Sequence, residues 1–238
     1  MHACRTVPLS SLPARIRALW PQSWQSFNAV QSTVLERCLQ SDDHMCVAAP
    51  TGAGKTGIFE LCISRLIVTA PKVSECKVVY LAPIKALCNE RLRDWERRFA
   101  PFGLKVAALT GDSTSAEGFN IIVAANVILT TPEKWDVVTR KGSDGLVQSV
   151  GLLIIDEVHL LNDDRGPVSE ALVARTLRLV ESSQQMIRIV GLSATLPNYL
   201  DVALFLRVNP QTGLHHFGDA YRPVPLSQTF IGGAPAAV

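Results

Sequence analysis

The sequence has no cysteine or histidine pattern of the kind that holds a metal ion or a disulfide framework. Its six cysteines include no CxxC pair, and its five histidines show no metal-ligand spacing. Two of the cysteines, Cys46 and Cys62, fall inside apolar segments. A disulfide-framed secreted domain and a zinc module are therefore excluded, and we expect small buried thiols in a reducing compartment.

Long apolar runs are also missing. No segment reaches the roughly 18 to 20 apolar residues that a bilayer-spanning helix needs, and the run that begins at Val150 stops at Asp156. We therefore expect no membrane partner. Hydrophobic residues make up 47% of the chain and charged residues 18%, a balance typical of a globular domain.

Neither sign of charge dominates the chain. Lys and Arg total 23 against 21 acidic residues, so a nucleic-acid partner is not predicted by net charge and would have to be bound by local placement of charge. The first acidic residue is Glu36, and such an Arg-bearing, acid-free start is compatible with a transit peptide. Because Pro8 and Pro13 interrupt a long amphipathic helix, we favour a short lead-in helix instead.

Short apolar runs alternate with helical patterns along most of the chain. Strands are predicted at Met45–Ala49, Lys77–Ala82, Lys105–Leu109, Val127–Thr130, Leu152–Ile155 and Ile187–Leu192. Helices are predicted at Thr56–Val68, Ile84–Phe99, Glu133–Thr139 and Val168–Glu181. This alternation predicts an α/β fold, a doubly wound parallel β-sheet with helices on both faces, in which ligands bind at the carboxyl ends of the strands.

A glycine-rich loop lies between the first strand and an apolar helix. Its residues are Pro50, Thr51, Gly52, Ala53, Gly54, Lys55 and Thr56. The glycines let backbone amides turn inward around phosphates, Lys55 would bind the β and γ phosphates, and the Thr56 hydroxyl would bind Mg²⁺. The general pattern begins with glycine, where this chain has Ala49. A chance glycine turn is the alternative, but the flanking strand and helix favour a site for ATP and Mg²⁺.

An acidic box follows the fifth strand about a hundred residues after Lys55. Leu152–Ile155 runs directly into Asp156, Glu157, Val158 and His159. We predict that Asp156 holds Mg²⁺ through its water shell and that Glu157 orients and deprotonates the attacking water. Phosphoryl transfer needs positioning and charge neutralisation rather than a covalent nucleophile, so this set is chemically sufficient for the ground state.

Two more strand-to-helix segments are suited to the phosphates of a nucleic-acid backbone. They are Ala82–Leu87 and Thr130–Trp135, and their candidate nucleic-acid-binding residues are Pro83, Lys85, Thr131 and Lys134. Helix N-termini and threonine hydroxyls bind phosphates without reading bases. Solvated surface lysines are the alternative for Lys85 and Lys134. Residues 110–112 form a weaker third candidate, and an interleaved run of Arg and acidic residues at 90–98 predicts a solvent-exposed helix.

Taken with Ser193-Ala194-Thr195 and Phe27-Asn28-Ala29-Val30-Gln31, these motifs resemble the first RecA-like domain of a superkiller-type DExH helicase of superfamily two. A simple helix cap is the alternative for Ser193 and Thr195 taken alone. The first half, including Ala82–Cys88, resembles the meiotic crossover DNA helicase. The second half, including Thr131–Val138 and Tyr221–Leu226, resembles the large tandem-cassette helicases of the spliceosome and the signal cointegrator complex.

The resemblance implies roles for individual residues. Ser193 and Thr195 would couple the γ-phosphate state to movement between two motor domains, and the Gln31 amide would bond the adenine edge. His159 would join the catalytic set as the last residue of the box. The nucleotide-contacting set would then comprise Gln31, Thr51, Gly52, Ala53, Gly54, Lys55, Thr56, Ser193 and Thr195.

The resemblance also implies partners, a compartment and a division of the chain. The partner would be single-stranded nucleic acid, with DNA favoured over RNA, followed with 3′-to-5′ polarity in the nucleus, in DNA repair and meiosis. Residues 1–26 would be a lead-in segment, 27–215 the RecA-like P-loop NTPase domain, and 216–238 the start of a linker to a second RecA-like domain outside this chain. The family's arginine finger lies on that second domain, so we expect nucleotide binding with little turnover by this chain alone.

Three function classes remain open at this point. The first is a helicase motor domain that acts with a second domain, either on DNA or as an RNA- or ribonucleoprotein-remodelling enzyme. The second is a non-catalytic module that binds ATP or a single strand without unwinding. The third is a phosphate-loop ATPase that acts on something other than nucleic acid, such as a transporter subunit.

Overall fold

A computed structural model describes residues 6–69, 72, 77–109, 116–140, 144–227 and 229. Its strands are β1 (Met45–Ala48), β2 (Val78–Leu81), β3 (Val106–Leu109), β4 (Val127–Thr130), β5 (Leu152–Ile155), β6 (Arg188–Ser193) and β7 (Leu214–His216). Its α-helices are α1 (Ala14–Arg17), α2 (Ala29–Gln40), α3 (Lys55–Thr69), α4 (Lys85–Phe99), α5 (Ala116–Ala124), α6 (Pro132–Arg140), α7 (Asp144–Gln148), α8 (Gly166–Ser183) and α9 (Tyr199–Phe205).

All seven strands belong to one parallel sheet with the order β3-β4-β2-β5-β6-β1-β7. The predicted α/β fold is therefore confirmed. The six predicted strands and four predicted helices are all present, with ends shifted by one or two residues in most cases. The edge strand β7 was not predicted, because three residues between polar segments give no distinct apolar run.

The core lies on both faces of the sheet, as alternation of side chains along each strand requires. In β2, Val78 and Tyr80 face the side covered by α2, α3 and α4. Val79 and Leu81 face the side covered by α6, α8 and α9. Short strands buried on both faces explain why the sequence shows continuous apolar runs rather than alternation.

The N-terminal segment packs on the first of these two core faces. Leu9, Leu19 and Trp20 are buried there, and the Trp20 ring meets Phe27 edge-on at 5.0 Å between centroids. The predicted lead-in helix is present as α1. Phe27 also donates its backbone N–H to the carbonyl of Val7 at 2.9 Å, so residues 7–26 are bound to the rest of the fold.

Buried charges in this fold are paired or hydrogen-bonded, as their desolvation cost demands. The prediction of a solvent-exposed arginine helix in α4 was wrong for Arg98, whose Nη1 donates to Oε2 of the buried Glu60 at 2.5 Å. Trp95 Nε1 donates to the other Glu60 oxygen at 3.1 Å. Sequence spacing could not show this, because Glu60 lies on α3.

The cysteine and membrane predictions can be tested on the described residues. Four cysteines, Cys38, Cys46, Cys62 and Cys88, are buried free thiols, which confirms the predicted role for them. Across the part of the chain that is described, no helix combines the length and apolar character that a membrane span requires.

Candidate nucleotide and nucleic-acid site

The predicted motifs converge because of the strand order. The loops after β1, β5 and β6, here called the nucleotide loops, come from three neighbouring strands, with Ala48 paired to Ser193 and Ile155 paired to Gly191. The loops after β2 and β4, together with the first turns of α4 and α6 that follow them, are here called the nucleic-acid loops; they come from two neighbouring strands, with Leu81 paired to Thr130. Since β2 also pairs with β5, both sets lie side by side at the carboxyl edge of the sheet.

The glycine-rich loop has the backbone that a phosphate cradle needs. Gly52 and Gly54 have φ angles of +85° and +78°, a left-handed region that other residues enter at a cost. A Cβ on Gly54 would lie 2.7 Å from the Gln31 amide nitrogen, so a larger residue would also collide there. Lys55 opens α3, and its Nζ donates to the Ala49 carbonyl at 3.0 Å, which holds its ammonium inside the loop.

Asn28 and Gln31 brace this loop from α2. Their side chains form a reciprocal capping box at the start of that helix, with bonds of 2.9 and 3.2 Å. Each amide nitrogen also donates to the loop: Asn28 Nδ2 to the Ala53 carbonyl and Gln31 Nε2 to the Gly54 carbonyl, both at 3.0 Å. Both amide atoms of Gln31 are thus engaged within the chain, and contact with adenine stays a prediction that requires one of these bonds to be exchanged.

Asp156 is held in place at the tip of β5. Its Oδ2 accepts a hydrogen bond from the Tyr80 hydroxyl at 2.5 Å, and its Oδ1 accepts the Glu157 backbone N–H at 3.0 Å. Glu157 itself has a left-handed backbone with φ of +51°, an uncommon conformation for a residue with a side chain and one found often at functional sites.

Burial raises the pKa values of both carboxyl groups. For Asp156, desolvation raises the pKa, and hydrogen bonds from Tyr80 and from the Glu157 backbone offset part of that rise. For Glu157, desolvation again raises the pKa, and the neighbouring Asp156 charge raises it further, against the opposing effect of Lys55. The two acids therefore repel each other at the place where a divalent cation would bind.

His159 connects the acidic box to the loop after β6. Its Nδ1 lies 3.2 Å from Glu157 Oε2 and 3.5 Å from Ser193 Oγ, and it accepts the Ala194 backbone N–H at 3.4 Å. The Ser193 carbonyl in turn accepts the Ala49 backbone N–H at 3.1 Å. Ser193 is fully buried, whereas Thr195 is exposed. The predicted residues His159 and Ser193 thus link all three nucleotide loops.

The side chains present suit Mg²⁺ bound together with phosphates. Thr56 and Asp156 offer oxygen ligands, the type that Mg²⁺ prefers. No cluster of three or more His, Cys, Asp or Glu suited to a metal occurs among the residues described. Mg²⁺ commonly retains several waters and binds through one or two protein oxygens together with substrate phosphates, so Thr56 and Asp156 would hold it when it is bound.

The nucleic-acid loops are more open. Lys85 is exposed at the first turn of α4, whose N-cap residue, Ile84, offers no side-chain cap. Thr131 precedes α6 and accepts the Trp135 backbone N–H through its carbonyl at 3.0 Å, which leaves its hydroxyl outside that bond. Lys134 is partly exposed in the first turn of α6. Residues 110–112 lie outside the described residues.

Arg165, just before α8, joins the two nucleic-acid loops. Its Nη1 donates to the Pro83 carbonyl at 2.8 Å, and its Nε lies 3.5 Å from Glu133 Oε1. A cleft of about 260 Å³ runs beneath it from these loops to Asp156 and Glu157. The roles of Arg165, Tyr80 and Asn28 were not predicted from the sequence. An Asn-x-x-Gln spacing before an apolar helix was the available signal for Asn28, and a tyrosine in an aliphatic strand was the signal for Tyr80.

Comparisons with known proteins agree with this arrangement. Residues 28–202 match the family model described as DEAD/DEAH box helicase. The chain is 54% identical over 212 residues to activating signal cointegrator 1 complex subunit 3 of Gallus gallus, covering 86% of this chain and 10% of that protein. It is 44% identical over 233 residues to the human U5 small nuclear ribonucleoprotein 200 kDa helicase, covering 95% of this chain and 11% of that protein. The chain therefore spans about a tenth of the length of these relatives.

A solved structure supports the fold independently. The crystal structure of the DUF1998 helicase MrfA bound to DNA and AMPPNP aligns with a TM-score of 0.75 at 20% identity, covering 93% of this chain and 31% of that one. These relatives agree with the resemblance of the second half of the sequence to the cointegrator-complex and spliceosomal helicases, and the resemblance to superfamily-two DExH helicases is confirmed. With the family model matching well over half of its residues, this chain belongs to the DEAD/DEAH box helicase family.

Proposed function

We propose that this chain is the ATP-binding domain of an ATP-dependent 3′-to-5′ helicase and that it binds ATP with Mg²⁺ and the backbone of single-stranded nucleic acid. The observation that supports this most directly is the strand order. It puts the Lys55 loop, the acidic box and Ser193 on three adjacent strands, next to the Pro83 and Thr131 loops. Membership of a helicase family argues against the alternative of a transporter-type ATPase.

The charged and polar residues of the candidate nucleotide site have the following roles in this proposal. Lys55 would exchange its bond to the Ala49 carbonyl for the β and γ phosphates. Thr56 and Asp156 would hold Mg²⁺, which neutralises charge on the phosphate oxygens when bound. Glu157 would orient the attacking water and accept its proton. His159 contacts both Glu157 and Ser193, so it would couple the position of the Glu157 carboxylate to the loop that follows β6.

We expect the 238-residue polypeptide by itself to bind ATP with little turnover. In the family that the sequence resembles, an arginine from a second RecA-like domain neutralises transition-state charge, an effect worth roughly 10³ to 10⁵ in rate. The test is fluorescence titration with an ATP analogue, with and without Mg²⁺, beside a phosphate-release assay with single-stranded DNA or RNA. No nucleotide binding would contradict the proposal, and brisk stimulated hydrolysis would contradict the need for a second domain.

RNA or ribonucleoprotein is the second candidate substrate. The preference for DNA expected from the first half of the sequence finds no support in the relatives reported above, and neither do the expected roles in DNA repair and meiosis. One of these relatives is named as a small nuclear ribonucleoprotein helicase, and it matches 95% of this chain. Anisotropy titrations with DNA and RNA strands of matched sequence decide the point: equal affinity indicates pure backbone binding, and a preference for RNA indicates contacts with the 2′-hydroxyl.

A nuclear location is part of the proposal. It is supported by the word nuclear in the name of that same relative. Imaging of the chain fused to a fluorescent protein, in a fusion too large to diffuse through nuclear pores, checks this expectation.

A further inference from the structure

Tyr80 lies at a junction between the nucleotide loops and the helices behind them. It occupies β2, where the other residues, Val78, Val79 and Leu81, are aliphatic, and its side chain is fully buried. Its ring meets Phe59 of α3 edge-on at 5.5 Å and Trp95 of α4 edge-on at 5.3 Å. The ring is thus fixed between the helix that follows the Lys55 loop and the helix that follows the Pro83 loop.

The hydroxyl of this fixed ring is bonded to Asp156. Tyr80 Oη donates to Asp156 Oδ2 at 2.5 Å, while the Glu157 backbone N–H donates to Oδ1. The Asp156 backbone is itself bonded to β2, because its N–H donates to the Leu81 carbonyl at 3.0 Å. Each carboxylate oxygen has two lone pairs, so accepting one bond leaves a second acceptor position on each oxygen.

We propose that Tyr80 is a positioning residue that fixes the orientation of the Asp156 carboxylate for Mg²⁺. This inference rests on the proposed function. Without the hydroxyl, the carboxylate would keep one anchor, the Glu157 N–H, and could rotate about its side chain. Because the Tyr80 ring is held by Phe59 and Trp95, its hydroxyl cannot follow a rotating carboxylate and therefore selects one orientation. Hydrogen-bond partners of metal ligands commonly change metal affinity by about 10- to 100-fold when removed.

The test compares Tyr80→Phe with the unchanged chain. Phenylalanine keeps the ring and its two edge-on contacts and removes only the hydroxyl, so the variant should fold, which thermal unfolding in EDTA checks. A fluorescent ADP analogue is then titrated at increasing Mg²⁺ concentration. We expect the Mg²⁺ concentration for half-maximal binding to rise about 10-fold in Tyr80→Phe, with binding in EDTA unchanged. Tyr199→Phe, which removes a hydroxyl from a ring stacked on His216, is the matched control and should not shift.

A second background shows whether Tyr80 acts through Asp156. In Asp156→Asn, adding Tyr80→Phe should change the Mg²⁺ dependence no further, since the group being oriented is already lost. An unchanged Mg²⁺ titration in a folded Tyr80→Phe variant would overturn the proposal, as would a full additional shift in the Asp156→Asn background. If the unchanged chain bound nucleotide without any Mg²⁺ dependence, the proposed function would fail first and the role of Tyr80 with it.

Discussion

The nucleotide loops and the nucleic-acid loops lie at the same edge of one sheet but are built differently. The nucleotide loops are bonded to one another and to α2 through Asn28, Gln31, His159 and Ser193. The two nucleic-acid loops are joined through Arg165, whose side chain is 61% exposed. Catalysis requires side chains that are already held in the reactive geometry when the substrate binds. Sequence-independent binding of backbone phosphates requires positive charge at the surface and allows the charged side chains to move.

The cleft beneath Arg165 is where these two regions meet. It is lined by Pro83 and Pro132 from the nucleic-acid loops and by Asp156 and Glu157 from the nucleotide loops. The acidic box therefore belongs to the nucleotide loops and also borders the nucleic-acid loops. Because the two regions are built separately, we expect that either can be changed with little effect on the other, except at this border.

The largest effect is expected from Lys55→Ala. A bond from a charged donor contributes about 1.5 to 3 kcal/mol, so nucleotide affinity should fall roughly 10- to 100-fold. Strand affinity in the absence of nucleotide should stay the same. Lys105→Ala, an exposed lysine at the opposite end of the sheet just before β3, is the matched control. An equal loss of strand binding without nucleotide would show that the two regions are not separable.

The reverse separation is expected from Lys85→Ala and Lys134→Ala. Each should weaken single-strand binding about 5-fold and make the slope of log affinity against log salt shallower by about 0.7, because one phosphate contact is lost. Nucleotide affinity should not change. Anisotropy titrations between low and moderate salt measure both quantities, with Lys105→Ala again as the control. An unchanged salt slope would identify these two residues as ordinary surface lysines.

Asn28→Ala should affect both stability and the phosphate loop. Loss of an N-cap side chain costs about 1 kcal/mol, and the bond to the Ala53 carbonyl is lost as well. We expect a lower free energy of unfolding in urea and weaker nucleotide binding. Asn198→Ala is the matched control, since Asn198 is the N-cap of α9 and makes no side-chain capping bond. Equal destabilisation by both variants would contradict a specific role for Asn28.

The smallest effect concerns pH. Burial and the Asp156 charge raise the pKa of Glu157 in the folded chain, so the folded state prefers the protonated acid. The stability that Glu157 contributes is therefore present below its unfolded pKa of about 4.3 and is lost as the pH rises through the raised value. Relative to the unchanged chain, Glu157→Gln should gain stability as the pH rises from about pH 4, where the carboxyl group of the unchanged chain begins to ionise.

This trend is measured by urea unfolding in EDTA, without nucleotide, at a series of pH values. A stability gain that shrinks as the pH rises would contradict the raised pKa of Glu157 in the folded chain.

Local features of the chain were predictable and features that cross between elements were not. The loop from Pro50 to Thr56 and the box from Asp156 to His159 follow strands whose apolar runs are visible in the sequence, so their position at strand ends could be predicted. The second partners of Gln31, Tyr80 and Arg98 lie 23, 76 and 38 residues away, and no local spacing indicates them. Arg98 was wrongly expected in solvent for this reason.

The chemistry of each loop follows from its residue types, because glycines, a lysine, a threonine and two acids have fixed capacities to bind phosphate, metal and water. The parallel sheet likewise follows from the sequence, since short doubly buried strands alternate with helices. Which loops are neighbours depends on the tertiary structure. Hydrogen bonding between strands sets the order β3-β4-β2-β5-β6-β1-β7, and the local pattern of apolar and polar residues in the sequence does not indicate this order. That strand order brings the motifs together at one edge of the sheet, and the contacts of Tyr80 with Asp156 and of Arg165 with Pro83 and Glu133 connect them.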